Sequence, residues 1–264
     1  MPSSSPAAPP MVLTFAASDP TGGAGLQADL LTIGALGCHA LSVVTALTVQ
    51  DTAGVARMRP VESAWLAEQA RCLLEDIPVA AFKAGVLGSA QNVRTVSELV
   101  ADYPEVPFVV DPVLASGRGD PLAQGDAIEA LRELILPRTT VLTPNSIEAR
   151  RLAEDGADLA QCAKRLLDLG CEYVLITGTH EAGAEVVNTL YDESGVVRED
   201  RWPRLPASYH GSGCTLAAAI AARLARGLEP AEAVREAQQF TWQALAAGFK
   251  AGRGQLLPNR FFRQ

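Results

Sequence analysis

The sequence predicts an α/β fold in three layers, with a central, mostly parallel sheet, helices on both faces of the sheet and an antiparallel hairpin at one edge. Short apolar runs alternate with amphipathic stretches of helical length along most of the 264 residues, which indicates right-handed crossovers between parallel strands. Asp192–Gly195 is a turn signal between two strand-like runs and predicts the hairpin. With 48% hydrophobic and 20% charged residues, the composition is typical of a globular protein.

Strands are predicted from apolar or β-branched runs, and helices from apolar residues that recur on one side. Leu26, Leu30 and Ile33, for example, share one side of the first predicted helix. The strand-like runs are 11–17, 41–49, 79–82, 107–110, 141–142 and 173–177, followed by the hairpin strands 185–191 and 196–202. The helix-like stretches are 23–36, 61–74, 90–101, 126–136, a further one between 142 and 173, and the Ala-rich 214–226 and 230–249.

The charge balance excludes some classes of partner. Lysine and arginine total 22 against 30 aspartate and glutamate residues, a formal charge of −8, and no basic run occurs. A net acidic protein repels phosphate backbones, so nucleic acid is not expected as a partner. No apolar stretch approaches the ~20 residues of a membrane span, so no membrane association is expected either.

The chain is expected to form one domain over residues 11–264, because neither an internal repeat nor a linker interrupts the pattern. Residues 1–10 are rich in Pro and Ser, lack a signal-peptide pattern and are predicted to form a disordered tail. The five cysteines are odd in number and show no C-x-x-C spacing. This pattern favours neither a disulfide framework nor a zinc site, and a cytoplasmic location follows as an expectation.

The segment Tyr209–Thr215 is the strongest candidate for chemistry. Two glycines, Gly211 and Gly213, stand where a predicted helix begins. Backbone N–H groups and the positive end of the helix dipole can bind an anion there. The same field is expected to lower the pKa of the Cys214 thiol. The alternative is a glycine-rich turn with a small cysteine packed under the helix.

Three further loops follow strand-like runs. The Gly-rich segment 18–29 supplies Asp19 and Asp29 but lacks the dinucleotide fingerprint. Asp111 ends another strand, and the polar loop 116–121 behind it is expected to act as a lid. Asn145 and Glu148 open a helix, where they would hold a hydrated Mg²⁺ or, equally well, cap the helix.

Six segments in register resemble the hydroxymethylpyrimidine/phosphomethylpyrimidine kinase family of the ribokinase-like superfamily. They are SDPTGGAGLQADL at 18–30, VTALTVQDTAGV at 44–55, KAGVLG at 83–88, DPV…SGRGDPL at 111–122, TPNSIEA at 143–149 and HGSGCTLAAAIA at 210–221. The resemblance extends over almost the whole chain. It implies a ribokinase-like fold, a homodimer, and ATP-dependent phosphorylation of 4-amino-5-hydroxymethyl-2-methylpyrimidine and then of its monophosphate, for thiamine diphosphate synthesis.

The resemblance also implies roles for individual residues. Gln50 would hydrogen-bond the aminopyrimidine, and the pocket around it would be lined by Asp29, Val86 and Val113. The anion hole for the phosphoryl group would be Gly211, Ser212, Gly213 and Cys214, with Cys214 as the base that activates the substrate hydroxyl. Mg²⁺ and the ATP phosphates would be organised by Asp111, Asn145 and Glu148, and the nucleotide would be bordered by Thr177, Gly178 and Thr179.

One departure from the family pattern lies at position 177, and two alternatives to the main activity stay open. Thr177 stands where the family commonly has a phosphate-contacting Lys, and Arg118 in the predicted lid would supply the missing positive charge. A pyridoxal kinase on the same scaffold is one alternative, because both substrates carry a hydroxymethyl group on a nitrogen heterocycle. The other is a catalytically impaired, pyrimidine-binding regulatory protein.

Overall fold

One sheet of nine strands organises the part of the chain that the structure describes. This computed structural model describes residues 8–115, 119, 122–123, 125–154 and 158–263. The strands are β1 (Met11–Ser18), β2 (His39–Asp51), β3 (Gly54–Pro60), β4 (Ala81–Ala84), β5 (Phe108–Val110), β6 (Val141–Leu142), β7 (Tyr173–Thr177), β8 (Glu185–Asp192) and β9 (Gly195–Pro203). Their order is β3-β2-β1-β4-β5-β6-β7-β8-β9. The pairings from β2 to β7 are parallel, and those of β3, β8 and β9 are antiparallel.

The helices fill the connections between the strands. They are α1 (Gly25–Ala35), α2 (Ser63–Asp76), α3 (Ala90–Ala101), α4 (Gly125–Ala130), α5 (Ser146–Ala153), α6 (Leu159–Asp168), α7 (Ser212–Ala225) and α8 (Pro230–Ala246). α4 continues into one π-helical turn, Leu131–Ile135, and one 3₁₀ turn, Leu136–Arg138. The predicted helix 126–136 is therefore irregular in its second half.

Side chains alternate between two cores, one on each face of the sheet. In β1, Leu13 and Phe15 join a core with α2, α3, α5 and α6. Val12 points the other way, into a core with α1, α7 and α8. The alternation confirms the predicted three-layer fold, and the hairpin of β8 and β9 confirms the predicted antiparallel edge.

A second antiparallel edge was not predicted. β3 pairs with β2 at the opposite end of the sheet. The sequence of β3, GVARMRP, contains two arginines and leaves much of its surface exposed. Because an edge strand has one neighbour and little buried surface, it carries almost none of the apolar signal by which strands are predicted.

The topology puts a crevice beside β1. The chain passes from β1 outward to β2 on one side, and later crosses to β4 on the other side of β1. The loops that follow β1 and β4 therefore diverge, and such a switch point is where open α/β sheets bind ligands.

Of residues 1–10, which are predicted to form a disordered tail, the structure describes only residues 8–10. Pro10 accepts a hydrogen bond of 2.9 Å from the His39 amide, which extends the contact between β1 and β2. Among the described residues, no helix combines the length and the apolar character needed to cross a bilayer.

Candidate active site

Two helices begin at the crevice without a side-chain cap. Ala24 precedes α1 and Gly211 precedes α7, and neither helix has an acidic residue in its first turn. In α7 the first amide bonded within the helix is that of Thr215, which donates to the Gly211 carbonyl at 3.0 Å. The amides of residues 212–214 have no acceptor within the helix. Their free N–H groups and the helix dipole make this end of α7 suited to an anion.

Glycine is required where the two loops meet. Gly211 has φ +75°, and a Cβ there would lie 2.0 Å from the Gly23 carbonyl oxygen. Gly25 has φ +55°, and a Cβ there would lie 2.3 Å from the Ala17 carbonyl oxygen. No other residue tolerates both the left-handed conformation and the contact. The loop after β1 and the loop before α7 thus touch through their backbones.

Cys214 lies in the first turn of α7 and is half-buried. The Gly25 amide and the Asp111 carboxylate are polar neighbours of its thiol. Burial raises the pKa of the Cys214 thiol to about 12, and the carboxylates of Asp111 and Asp29 oppose its ionisation further. The expectation that this pKa is lowered is therefore wrong, because the cost of burying a thiolate exceeds the favourable effects of Lys83 and the Gly25 amide.

Asp29 lies beneath the site and has no exposed surface. Its Oδ2 accepts hydrogen bonds from the Thr14 hydroxyl at 2.6 Å and from the Lys83 ammonium at 2.9 Å. Asp29 therefore holds a buried cation, and its expected contribution to the lining of the pyrimidine pocket stays a prediction. Burial alone would lower the pKa of Lys83, whereas the charges of Asp29, Cys214 and Asp111 raise it above its ordinary value.

A second pair joins the two loops from the side. Nε2 of His210 lies 2.8 Å from Oδ2 of Asp19. Asp19 also accepts from the Thr21 amide at 2.8 Å and from the Ala24 amide at 2.7 Å. Burial acts to raise the pKa of Asp19, but these hydrogen bonds and His210 outweigh it and lower the pKa. Asp19 thus links the start of α1 to the residue before Gly211.

Asn145 and Glu148 form a capping box at the start of α5. Oδ1 of Asn145 accepts from the Ile147 and Glu148 amides at 3.0 Å each. Glu148 accepts from the Asn145 amide at 3.0 Å and from the Leu114 amide at 3.1 Å. The cap interpretation of these residues is confirmed. The negative charge of Glu148 also repels that of Asp111.

Asp111 follows β5, is almost fully buried, and lies under Gly213. Burial, together with repulsion from Glu148, raises the pKa of Asp111 to about 7. A divalent cation would relieve this repulsion, so the pair fits Mg²⁺, which needs few protein ligands and keeps several waters. Within the described residues no group of three His, Cys, Asp or Glu side chains could hold a metal by itself.

The predicted nucleotide residues lie at the next strand of the sheet. Thr177 pairs with Asn145 as an isolated bridge and donates its amide to the Pro144 carbonyl at 2.9 Å. Gly178 is buried, and its amide donates to Oδ1 of Asn188 at 3.1 Å. Thr179 is exposed. The structure therefore brings Asn145 and Thr177 together, and Gly178 has a structural contact of its own.

A cavity of about 400 Å³ contains Gln50. Its lining comes from the loop after β1, the β2–β3 turn and the C-terminal segment: Pro20, Thr21, Gln50, Asp51, Thr52, Ala251, Gly252 and Arg253. The amide nitrogen of Gln50 donates to the Thr48 hydroxyl at 2.7 Å. Val86 and Val113 are half-buried and are not among the lining residues. Arg118 and most of the predicted lid lie outside the described residues.

Sequence reasoning assigned no role to several residues that support this site. Lys83, His210 and the C-terminal residues 251–253 are the main ones. Lys83 did leave a signal, because it is the one charged residue in the apolar run VAAFKAGVLG, and a lone charge in a buried strand needs a partner. Residues 251–253 left no such signal. They return to the cavity about 200 residues after Thr52 along the chain, and no local sequence pattern marks that contact.

An uncapped helix terminus at the switch point of the sheet, beside the Gln50 cavity, fits the class that the sequence predicts, a small-molecule kinase. The comparisons with known proteins agree. The model of the family described as phosphomethylpyrimidine kinase matches residues 19–259. The chain belongs to that family.

Individual relatives agree with the family. The hydroxymethylpyrimidine/phosphomethylpyrimidine kinase of Streptomyces coelicolor is 44% identical over 94% of this chain and 93% of its own length. A thiamine biosynthesis bifunctional protein of Geobacter sulfurreducens is 38% identical over 92% of this chain and 50% of its own. The pyridoxal kinase of Staphylococcus aureus, solved with AMP-PCP and pyridoxal, superposes with a TM-score of 0.85 at 29% identity, over 97% of this chain and 94% of that one.

The sequence identities favour the pyrimidine kinase activity over the pyridoxal kinase activity. The named pyrimidine kinase is closer in sequence to this chain than the pyridoxal kinase, although both share its fold. The predicted family, kinase class and main activity are confirmed, and the pyridoxal alternative fits less well.

Proposed function

We propose that this protein transfers the γ-phosphoryl group of ATP to 4-amino-5-hydroxymethyl-2-methylpyrimidine and then to the resulting monophosphate, which yields the pyrimidine diphosphate for thiamine diphosphate synthesis. One observation carries the proposal most directly. The free amides of Ser212, Gly213 and Cys214 stand at a helix terminus that is next to the loop lining the Gln50 cavity. An acceptor alcohol and a phosphoryl group can thus be held side by side.

Each group has a role that its chemistry allows. Oε1 of Gln50 can accept from the amino group of the pyrimidine, while the amide nitrogen is held by Thr48. The amides of Ser212, Gly213 and Cys214 stabilise the charge on the transferring group. In its thiolate form Cys214, which neighbours Asp111, takes the hydroxyl proton as the hydroxyl oxygen attacks the γ-phosphorus and ADP leaves. Asn145, Thr177 and Thr179 border the nucleotide.

Asp111 and Glu148 would hold Mg²⁺, in large part through water. When bound, the ion supplies the positive charge that the phosphates of ATP require. Glu148 keeps its oxygens near two backbone amides, which fixes the carboxylate before the ion arrives. Arg118 remains the proposed additional cation, in place of the family Lys at position 177.

We also infer a cytoplasmic homodimer built from one domain per chain. The five cysteines are free thiols, as a reducing compartment favours. Leu47 and Val49 lie on one face of β2, where they are 56% and 52% exposed, and Trp65 of α2 is 62% exposed. An apolar strand face beside an edge is the surface that a second copy would cover.

A coupled assay of ADP release tests the activity, with ATP, Mg²⁺ and one acceptor at a time. The acceptors are the pyrimidine alcohol, its monophosphate and pyridoxal. Release with both pyrimidines is the expected result. Release with pyridoxal alone contradicts the proposal, and calorimetric binding of the alcohol without ADP release supports the regulatory alternative instead.

A further inference from the structure

The segment that follows α8 returns across the site. The Gly254 amide donates to the Thr52 hydroxyl at 3.0 Å, and the Gln255 amide to the Thr52 carbonyl at 2.8 Å. Leu256 then accepts from the His210 amide at 2.9 Å. The segment is thus bonded both to the turn that walls the Gln50 cavity and to the residue before Gly211.

Arg260 is the buried end of this segment, with 4% of its surface exposed. Its Nη2 donates to the Gly23 carbonyl at 2.6 Å and to the Thr215 hydroxyl at 3.0 Å, and its Nε donates to the same hydroxyl at 3.2 Å. Nη1 lies 3.3 Å from the Gly22 carbonyl. A planar guanidinium can make these bonds together, whereas a lysine ammonium offers one point of contact.

Arg260 contacts one of the two peptides that touch at the site directly, and it reaches the other through the Thr215 hydroxyl. The Gly23 carbonyl is the atom against which Gly211 packs. The Thr215 hydroxyl donates to the Gly211 carbonyl at 2.8 Å. That carbonyl shares one rigid peptide plane with the Ser212 amide. Fixing it therefore fixes the direction of an N–H group at the free end of α7.

We propose that Arg260 is a positioning residue for phosphoryl transfer, which holds the loop after β1 against the start of α7 and orients the Ser212 amide toward the transferring group. This inference rests on the proposed function of the α7 terminus as the phosphoryl site. Arg260 does not touch the substrate. Its effect falls on kcat more than on KM, because the Gln50 cavity is formed by other residues.

The test compares Arg260→Ala and Arg260→Lys with Arg263→Ala. Arg263 is an exposed arginine three residues further on, bonded to Gln243 at 3.3 Å. Arg260→Ala is expected to lower kcat roughly tenfold to a hundredfold, the loss that a small misplacement of reacting groups causes, with a much smaller change in KM for the pyrimidine alcohol. Arg260→Lys stays closer to Arg260→Ala than to the wild type. Guanidinium chloride restores part of the kcat of Arg260→Ala, and sodium chloride at equal ionic strength does not.

Circular dichroism and thermal unfolding accompany each assay, because a buried arginine can also matter for folding. A kcat for Arg260→Ala equal to that of Arg263→Ala overturns the inference. So does a loss that matches the fall in folded fraction and is unaffected by guanidinium. Wild-type turnover is measured first: absent turnover contradicts the proposed function itself, whereas normal turnover with an unimpaired Arg260→Ala contradicts this inference alone.

Discussion

At the residue scale, Cys214 is the side chain whose chemistry the site constrains most. If it accepts the proton of the substrate hydroxyl, Cys214→Ala is expected to lower kcat about a hundredfold or more, the usual contribution of a general base. Cys72→Ala is the matched control, because Cys72 is exposed on α2, far along the chain from the α7 terminus. A near-normal kcat for Cys214→Ala in the ADP-release assay would leave the anion hole alone to carry the step.

The pH dependence of the rate gives a second measure of the same role. Burial raises the pKa of Cys214 to about 12, so the thiolate fraction of the free enzyme grows about tenfold per pH unit between pH 7 and 9. The ratio kcat/KM of the wild type is expected to rise with pH over this interval, and that of Cys214→Ala to rise less. Parallel profiles for the two proteins would exclude thiolate chemistry.

The Lys83–Asp29 pair makes a prediction about stability. Neither side chain is exposed, so Lys83→Met leaves a buried carboxylate without its cation. We expect a loss of about 3–5 kcal/mol in the free energy of unfolding, measured in urea. Lys164→Met is the control, because the Lys164–Asp168 pair has the same length of 2.9 Å at the surface and is worth no more than about 1 kcal/mol. Equal losses in the free energy of unfolding for Lys83→Met and Lys164→Met would contradict the conclusion that the buried pair contributes more to stability than the surface pair.

At the scale of elements, the loop between β7 and β8 depends on one arginine. Arg204 donates to the carbonyls of Thr179, Glu181 and Gly183 at 2.7–2.8 Å. Because this loop is the proposed border of the nucleotide, Arg204→Ala is expected to raise the KM for ATP roughly tenfold, as the loss of one or two net hydrogen bonds would do. The KM for the pyrimidine should stay near the wild-type value in the same initial-rate assay.

Arg201→Ala provides the comparison for that experiment. Arg201 lies on β9 and pairs with Glu199 and Glu185 at the surface, without reaching the nucleotide loop. An unchanged KM for ATP in Arg204→Ala, or an equal rise in Arg201→Ala, would show that the loop keeps its shape without the guanidinium.

Some strands and site residues could be predicted from the sequence, and others could not. Buried parallel strands such as β1 and β7 were predicted within one residue, because their apolar runs are continuous. The edge strand β3 was not, since half-exposed residues carry little signal. At the site, the glycine loops and Asp111 could be placed, but the neighbours of Asp29 could not. Lys83 lies 54 residues away from it in sequence, and only the sheet brings them together.

At the scale of the whole molecule, the exposed face of β2 makes the prediction about assembly. Leu47 and Val49 are two residues apart in β2, so their side chains lie on the same face of the sheet. We expect the wild type to sediment as a dimer and Leu47→Glu/Val49→Glu to sediment as a folded monomer, because two charges on each copy would be buried against each other. A matched change at Val196→Glu, on the opposite edge of the sheet where Val196 is 62% exposed, should leave the dimer intact.

The result is measured by analytical ultracentrifugation at several protein concentrations, with circular dichroism as the check on folding. A wild-type monomer throughout the range would contradict the proposed homodimer. A dimer that survives the two β2 substitutions would move the interface to another face of the molecule.

Because Lys83 is buried, chemical labelling of its side chain can report the opening of the fold. Of its three lysines, Lys164 and Lys250 are exposed and Lys83 is not. An amine-reactive acylating reagent should therefore modify two lysine side chains of the native protein and a third only when the sheet opens. The rate at which the peptide containing Lys83 gains the label, read by mass spectrometry, measures opening of the centre of the fold without any spectroscopic probe, and bound substrate should slow it.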